Sequence, residues 1–315
     1  MLNTPVLPLV FNRADTATSV LNRIREVKPK QLFIAADGPR MEKAGEVEMC
    51  SHVRKQVEAL IDWDCEVHKL YRDENLGCGQ AVSSAIDWFF TNVDRGIILE
   101  DDTLPDITFF NYCETLLEYY KHDEEVMHVG GSNLQCGLKR GNYSYYFSAF
   151  PMIWGWATWK SAWKKYQYSI VDSRDTIKQN FINASLEANE VDFFVDSIEQ
   201  VKAGRIDTWD YQWLYTLVKY GGKAIVPQYN LIQNLGFNEY ATHTSHAPYW
   251  YKLLKNRPLT KISFAPKLDI NSKADRFYML LTLNKQNLYL RYQIIKHRVI
   301  EKMLRNKVSQ YLFHE

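Results

Sequence analysis

Three adjacent carboxylates, Glu100, Asp101 and Asp102, close the apolar run Gly96-Ile97-Ile98-Leu99. A run without a polar break suits a strand buried on both faces of a parallel sheet. Carboxylates at the end of such a strand repel one another and are partly desolvated, and a cation among them relieves both costs. Hard divalent ions, Mn²⁺ or Mg²⁺, accept carboxylate oxygens and share their coordination sphere with substrate phosphates. In open α/β sheets, ligands bind beyond the carboxyl ends of the strands. The chemistry on offer is therefore a metal–diphosphate site. The competing reading is a solvated acidic loop that caps the next helix.

Other polar residues stand at equivalent places. Asn12-Arg13 follow the apolar run Pro5–Phe11, Asp37 follows Leu32–Ala36, and Arg72-Asp73 follow Cys65–Tyr71. A base, a ribose and a diphosphate need acceptors, donors and counter-charge along one rim, and these residues supply them. Taken singly, each is more often a helix cap or a surface charge; their joint placement argues for a ligand. Gly77 and Gly79, in Asn75-Leu76-Gly77-Cys78-Gly79, allow close approach of backbone to a ligand. They form neither a phosphate loop ending in Lys-Ser/Thr nor a dinucleotide fingerprint. Downstream, Trp154, Trp156, Trp159 and Trp163 crowd one segment, with Gly155 between the first two. Trp159 and Trp163 read as core, whereas Trp154 and Trp156 are placed to stack on a sugar. Asp207 and Asp210 flank Trp209. An Asp at a helix start is ordinarily a cap, but Asp210 beside a Trp also suits a general base. Asn234 and His243 lie in a core-poor stretch, 230–244, that reads as a lid, with His243 in reach of phosphate.

The elements that must position these residues alternate. Strands over 5–11, 32–36, 65–71 and 96–100 are separated by amphipathic helices. The first helix is expected to be capped by Asp15 or Thr16; the second carries Val47, Cys50, Val53, Val57 and Leu60 on its buried face. This order predicts an α/β fold with a parallel, doubly wound sheet and right-handed connections. Pro105 is expected in the first turn of a helix, with Phe109, Phe110, Cys113, Leu116, Leu117 and Tyr120 inward. The Trp segment is expected to turn helical at about Ala157. Phe181, Ile182, Leu186, Phe193, Phe194 and Ile198 are expected to anchor a helix-rich stretch over 172–205, and Gly221-Gly222 to end the helix that Asp210 opens. Leu288, Tyr292, Ile295, Val299 and Met303 repeat at helical spacing among six basic residues, Arg291, Lys296, Arg298, Lys302, Arg305 and Lys307. This predicts a basic amphipathic helix that packs on the domain or lies on an anionic membrane face.

Composition narrows the classes. With 315 residues the chain can form one large domain or two intimate ones, and a formal charge of +1 gives no electrostatic case for nucleic acid. The five cysteines are scattered and show no Cys-x-x-Cys spacing, which argues against a zinc site or disulfide framework and for a reducing compartment. Neither a signal peptide nor a membrane span is expected.

These motifs, in this order, resemble the GT-A glycosyltransferases, and most closely those of the N-acetylglucosaminyltransferase I type and related bacterial polysaccharide transferases. The resemblance covers roughly residues 5–245. It rests on Phe11-Asn12-Arg13, Asp37, Asn75-Leu76-Gly77, the strand with Glu100-Asp101-Asp102, Pro105-Asp106 with Phe109-Phe110, the Phe150-Pro151…Gly155-Trp156 segment, and Trp209-Asp210. It implies a Rossmann-like, mostly parallel sheet with helices on both faces and C-terminal amphipathic helices. Residues 1–125 would form a nucleotide-sugar-binding half, 126–250 an acceptor-binding and catalytic half of the same domain, and 251–315 a helical extension. Asp102 would ligate Mn²⁺ or Mg²⁺ on the donor diphosphate, and Asp37 would hold the uridine. Phe11, Asn12, Arg13, Arg72, Asn75, Gly77, Glu100 and Asp101 would line the nucleotide. Trp154, Gly155, Trp156 and Trp209 would face sugar and acceptor, and Asn234 and His243 the phosphates. Asp210 would be the catalytic base. In the family two acids follow the Trp and the second is the base; here one acid precedes Tyr211, so Asp207 stands as the alternative. The implied activity is metal-dependent, inverting transfer from a nucleotide-diphosphate sugar, UDP by resemblance, to a glycan or lipid-linked glycan. The implied location is cytoplasmic, with membrane contact on the inner face through 285–307. A sugar nucleotidyltransferase and a non-catalytic nucleotide- or carbohydrate-binding module are the rivals.

Overall fold

Buried apolar strands with polar ends, separated by amphipathic helices, assemble into a single eight-stranded sheet in the computed structural model, which describes residues 1–184, 186–237, 248, 250–254 and 256–283. The first half runs β1 (Val6–Val10), α1 (Ala14–Val27), β2 (Gln31–Ala36), α2 (Glu46–Ala59), β3 (Glu66–Tyr71), α3 (Gly77–Asn92) and β4 (Arg95–Glu100). A short β5 (Thr103–Pro105) and α4 (Ile107–Tyr119) follow, then β6 (Val126–Gly130), β7 (Tyr145–Ser148), β8 (Trp156–Trp159) and α5 (Lys160–Trp163). The chain continues through α6 (Arg174–Asn183), α7 (Ala188–Lys202), α8 (Asp210–Tyr220), β9 (Lys223–Pro227), β10 (Ile232–Asn234) and α9 (Ser272–Leu283).

The sheet order is β3-β2-β1-β4-β8-β6-β9-β7. β3, β2, β1 and β4 are mutually parallel, so Val10, Ala36, Tyr71 and Glu100 end on one rim. β8 enters antiparallel between β4 and β6, β9 is parallel to β6, and β7 closes the edge antiparallel. The fold is thus a mixed α/β, Rossmann-like sheet, mostly parallel on the side that carries the acidic strand. Strand burial follows position. Ile97, Ile98 and Leu99 on central β4 are fully covered, whereas every residue of edge strand β3 keeps some exposure.

Several local expectations are corrected. The residue before α1 is Arg13, whose side chain makes no cap, so neither Asp15 nor Thr16 starts the helix. Pro105 belongs to β5, which pairs antiparallel with β10, and Asp106 caps α4 by accepting from the Thr108 N–H. Ala157–Trp159 is strand rather than helix, since β4 and β6 present open edges that β8 fills. Val47, Ile182 and Phe193 face solvent: each lies outside the apolar stripe of its helix, and only one stripe meets the core. The basic segment 285–307 lies outside the described residues, as does His243. Among the described residues no helix is long and apolar enough to cross a membrane.

Beneath the sheet, Trp156 is 1% exposed and stacks at 5.1 Å on His128 and at 5.4 Å on Trp209. Trp163 and Trp213 complete this aromatic layer. Gly155 makes the layer possible: its φ is +60°, its carbonyl accepts from the Gly131 N–H, and a Cβ there would come within 2.5 Å of Ile232 Cδ1. His128 is fully buried; its Nδ1 accepts from the Trp213 indole at 3.2 Å and its Nε2–H faces the Met152 carbonyl at 3.2 Å. Burial pushes this imidazole down to about 3. The folded state therefore binds fewer protons here than the unfolded chain between about pH 3 and the ordinary histidine value near 6.5. Stability conferred by the neutral ring is complete above that value and falls as pH drops through the window. Urea unfolding at pH 7.5 and pH 5 should differ by about 2 kcal/mol from this group alone, and His128→Gln should change the wild-type difference by that amount.

Candidate functional site

The rim of β1, β2 and β4 opens into a cavity of about 1050 Å³. It is lined by Phe11, Asn12, Arg13, Asp37, Arg72, Asn75, Gly77, Glu100, Asp101, Asp102, Trp154, Asp207, Trp209, Asp210 and Asn234, so nearly all residues singled out in the sequence converge on one space. Gly155 and Trp156 are absent from its wall. Their segment is drawn into the aromatic layer by β8 pairing, which leaves Trp154, packed against Phe237, Trp250 and Tyr251, as the indole that faces the cavity. A smaller hollow of about 410 Å³ between Tyr119–Asp123 and Ala265–Leu268 contains none of these residues.

At one end, Asp37 extends from β2 and accepts from Asn75 Nδ2 at 2.9 Å and from the Leu76 N–H at 3.1 Å. Burial raises its pKa despite these donors. Gly38 lies so close to the Glu74 backbone that a Cβ would fall 2.3 Å from its carbonyl carbon, which explains how the Asn75 turn is held against Asp37. Arg72 donates to Ser84 Oγ at 2.8 Å; burial depresses its pKa and Asp37 partly restores it. Asn12 turns toward a partner the sequence reading missed. Its amide donates to Glu46 Oε1 at 3.0 Å, and Glu46 also accepts from Arg40 N and Nε at 2.7 and 2.8 Å. The Arg40 hydrogen bond holds Glu46 down to about 2, and the guanidinium lies 5.4 Å from the centre of the Phe11 ring. The signal was legible: Glu46 occupies the apolar stripe of Cys50, Val53 and Val57, where an acid needs a partner.

At the centre, Arg13 bonds Asp101 Oδ1 and lies 3.0 Å from Asp102 Oδ2. Burial works against the guanidinium charge, yet Asp101 and Asp102 raise its pKa above the ordinary value. Burial and then the neighbouring charges of Asp102, Asp101 and Asp210 push Glu100 up to about 8. Burial, only partly opposed by Arg13, pushes Asp101 up to about 6. Asp101 is 4% exposed and, among the described residues, its Oδ2 has no hydrogen-bond partner. β10 grips this acidic turn: Leu235 N donates to the Asp102 carbonyl at 2.7 Å, and a Cβ on Gly236 would come within 2.3 Å of Asp102 Oδ2.

Among the described residues, no group of three His, Cys, Asp or Glu side chains is arranged to hold a metal by itself. The donor set nevertheless fits a hard divalent ion shared with a ligand. Asp102 offers carboxylate oxygen to the cavity, Asp101 keeps an orphaned oxygen, and one or two carboxylates with substrate phosphates are the usual complement for Mg²⁺-like ions.

The two aspartates around Trp209 divide. Asp207 Oδ1 accepts from the Gly79 N–H at 2.8 Å, supplying the anion at the N-terminus of α3, whose own first turn has no acid. Gly77 and Gly79 press on this carboxylate: Cβ atoms there would lie 2.5 and 2.6 Å from its oxygens. Those glycines thus make room for Asp207. Asp210, at the start of α8, engages Thr208 Oγ1 and, at 2.9 Å, the Tyr211 N–H, both through Oδ1. Both bonds fall on one oxygen of a residue that lines the cavity. Cys78 and Arg205 also line the wall, neither foreseen from the sequence. Burial and nearby carboxylates push the Cys78 thiol up to about 12, which disfavours the thiolate.

No family model matches this chain, and no curated protein matches it. Solved structures similar to it include HddC from Yersinia pseudotuberculosis, at 11% identity and a TM-score of 0.32 over 50% of this chain and 77% of that one. A cytidylyltransferase from Leptospira borgpetersenii serovar Hardjo-bovis matches at 11% identity and a TM-score of 0.32, over 52% of this chain and 63% of that one. An apo UDP-glucose pyrophosphorylase matches at 9% identity and a TM-score of 0.33, over 72% and 90%. Likeness at this level carries no argument about activity.

Proposed function

We propose that the chain is a nucleotide-diphospho-sugar glycosyltransferase that inverts the anomeric centre. The observation that carries this reading is one cavity whose wall brings together Asp37, Arg13 with Asp102, and Asp210. Asp37, held by Asn75, and Arg72 offer acceptor and donor to a nucleoside, Arg13 and the acidic turn address a diphosphate, and Asp210 with Trp154 faces the acceptor. The sugar then lies between Asp102 and Asp210, with residues 1–125 on its donor side and 126–250 on its acceptor side.

The residues imply the steps. Asp210 Oδ2 takes the proton of the acceptor hydroxyl as its oxygen forms a bond to the anomeric carbon. The bond from that carbon to the diphosphate oxygen breaks on the opposite side, and the electron pair leaves on the nucleoside diphosphate. Arg13 bears on that developing charge as a positioned donor. A divalent ion on Asp102, when bound, supplies further charge neutralisation. Trp154 offers an apolar face to sugar C–H groups.

A sugar nucleotidyltransferase is the second reading, and it is the activity named for the cytidylyltransferase and the pyrophosphorylase above. Such an enzyme must cradle a triphosphate after its first strand. Here Asn12 bonds Glu46, which leaves Arg13 as the one basic residue directly after β1 to meet phosphate. A panel of nucleotide sugars with Mn²⁺ should yield nucleoside diphosphate, faster with a glycan acceptor. Pyrophosphate release from a nucleoside triphosphate and a sugar 1-phosphate, with no diphosphate release from the panel, would establish the second reading instead. Binding without either product would leave a binding module.

A further inference from the structure

We propose that Arg13 is a built-in counter-ion that closes Asp102 to a divalent cation until a nucleoside diphosphate draws the guanidinium away, so that nucleotide and metal bind with strong positive cooperativity. The proposal rests on the donor-site reading above and deepens it.

Three observations support it. First, Asp102 Oδ2 lies 3.0 Å from Arg13 Nη2, so a dication on this carboxylate would stand beside a full positive charge. Metal and guanidinium therefore compete for one carboxylate. Second, the competition is unequal in charge. One guanidinium faces Glu100, Asp101 and Asp102, and the 96% buried Asp101 retains an oxygen, Oδ2, without a hydrogen-bond partner among the described residues. The turn still lacks positive charge when Arg13 is in place. Third, the Arg13 side chain borders the cavity. The residue stands just before the first turn of α1 with extended backbone angles, its side chain makes no cap bond, and that side chain is 21% exposed along the cavity wall.

A diphosphate changes the balance, because phosphate oxygens give a guanidinium a bidentate, more strongly charged partner than a carboxylate. Arg13 turning to the diphosphate releases Asp102 Oδ2, and the diphosphate supplies oxygens that complete a metal's coordination. Coupling of this kind is reciprocal: whatever the nucleotide does for the metal, the metal does for the nucleotide.

The test is Mn²⁺ binding to the whole chain, read by the electron paramagnetic resonance signal of free Mn²⁺ at fixed ionic strength, with and without UDP. Wild-type protein should bind Mn²⁺ at least about 10-fold more tightly in saturating UDP. Arg13→Gln should bind Mn²⁺ alone at least about 10-fold more tightly than wild type, with the UDP-linked gain largely lost. Adding Asp102→Asn to that variant should remove the new binding. A melting temperature of Arg13→Gln that falls without Mn²⁺ and recovers with it, while wild type is unmoved by Mn²⁺ alone, would be the same result by another readout. Equal Mn²⁺ affinity in wild type and Arg13→Gln would overturn the proposal, as would binding that survives loss of Asp102. Should Arg13→Gln fail to fold, Arg13→Lys, which keeps the charge but loses the fork, should bind Mn²⁺ with a gain of smaller size, and equality with wild type would again overturn it. A wild type that ignores UDP while Arg13→Gln gains Mn²⁺ would reject the donor-site reading and keep the counter-ion.

Discussion

Asp210→Asn is expected to lower sugar transfer by about 10²–10⁴-fold while leaving nucleotide affinity within a few-fold of wild type. The substitution is nearly silent for structure. Thr208 Oγ1 and the Tyr211 N–H both bond Oδ1, and an amide oxygen in the same place accepts from both. What is lost is the basicity of the second oxygen, which becomes NH₂ and cannot take a proton. The signature is a fall in kcat with little change in donor KM, measured as nucleoside diphosphate release with acceptor present. Asp207→Asn should behave differently. Its Oδ1 accepts from the Gly79 N–H, a bond the amide oxygen keeps, so the change removes only the negative charge at the N-terminus of α3 and should cost about 0.3–1 kcal/mol of stability with turnover near wild type. Turnover of Asp210→Asn at the wild-type rate would remove Asp210 from the chemistry.

Asp102→Ala should abolish the part of nucleotide binding that needs a divalent ion, a loss of about 100-fold or more given the several kcal/mol such an ion contributes at a diphosphate. Three residues would then explain the remainder. Asp37, Asn75 and Arg72 lie at the other end of the cavity and are untouched by the change. The variant in Mn²⁺ should therefore match wild type in EDTA. The fold should survive, because the backbone carbonyl of residue 102, not its side chain, accepts from Leu235 N, and Arg13 keeps its bond to Asp101. Isothermal titration of a nucleoside diphosphate into both proteins checks this.

Much of this geometry was legible in the sequence, for a physical reason. Parallel strands buried on both faces must be apolar, and their polar ends must share a rim, so Arg13, Asp37, Arg72 and the acidic turn could be placed together before any coordinate was known. Periodicity does not fix what fills an open strand edge. Ala157–Trp159 reads equally as helix or strand, and only the free edges of β4 and β6 decide it; that pairing takes Trp156 away from the cavity and into the layer with His128. Pro105 was misplaced for a similar reason, since its partner, β10, lies over a hundred residues later and only tertiary pairing brings the two together. The pairing of Asp207 with α3 was equally hidden, because Gly77 and Gly79 show room for a ligand and a carboxylate from a distant segment alike. The link from Asn12 to Glu46 could have been found by asking why an acid sits on an apolar helix face.

The most direct measurement of the central claim is calorimetric titration of UDP into the wild-type protein, first with Mn²⁺ and then with EDTA. Binding that strengthens about 100-fold with Mn²⁺, a gain lost in Asp102→Ala, is the result expected from a donor site built on Asp37 and the acidic turn. Binding of equal strength in EDTA, or none in either condition with any nucleoside diphosphate, would contradict it.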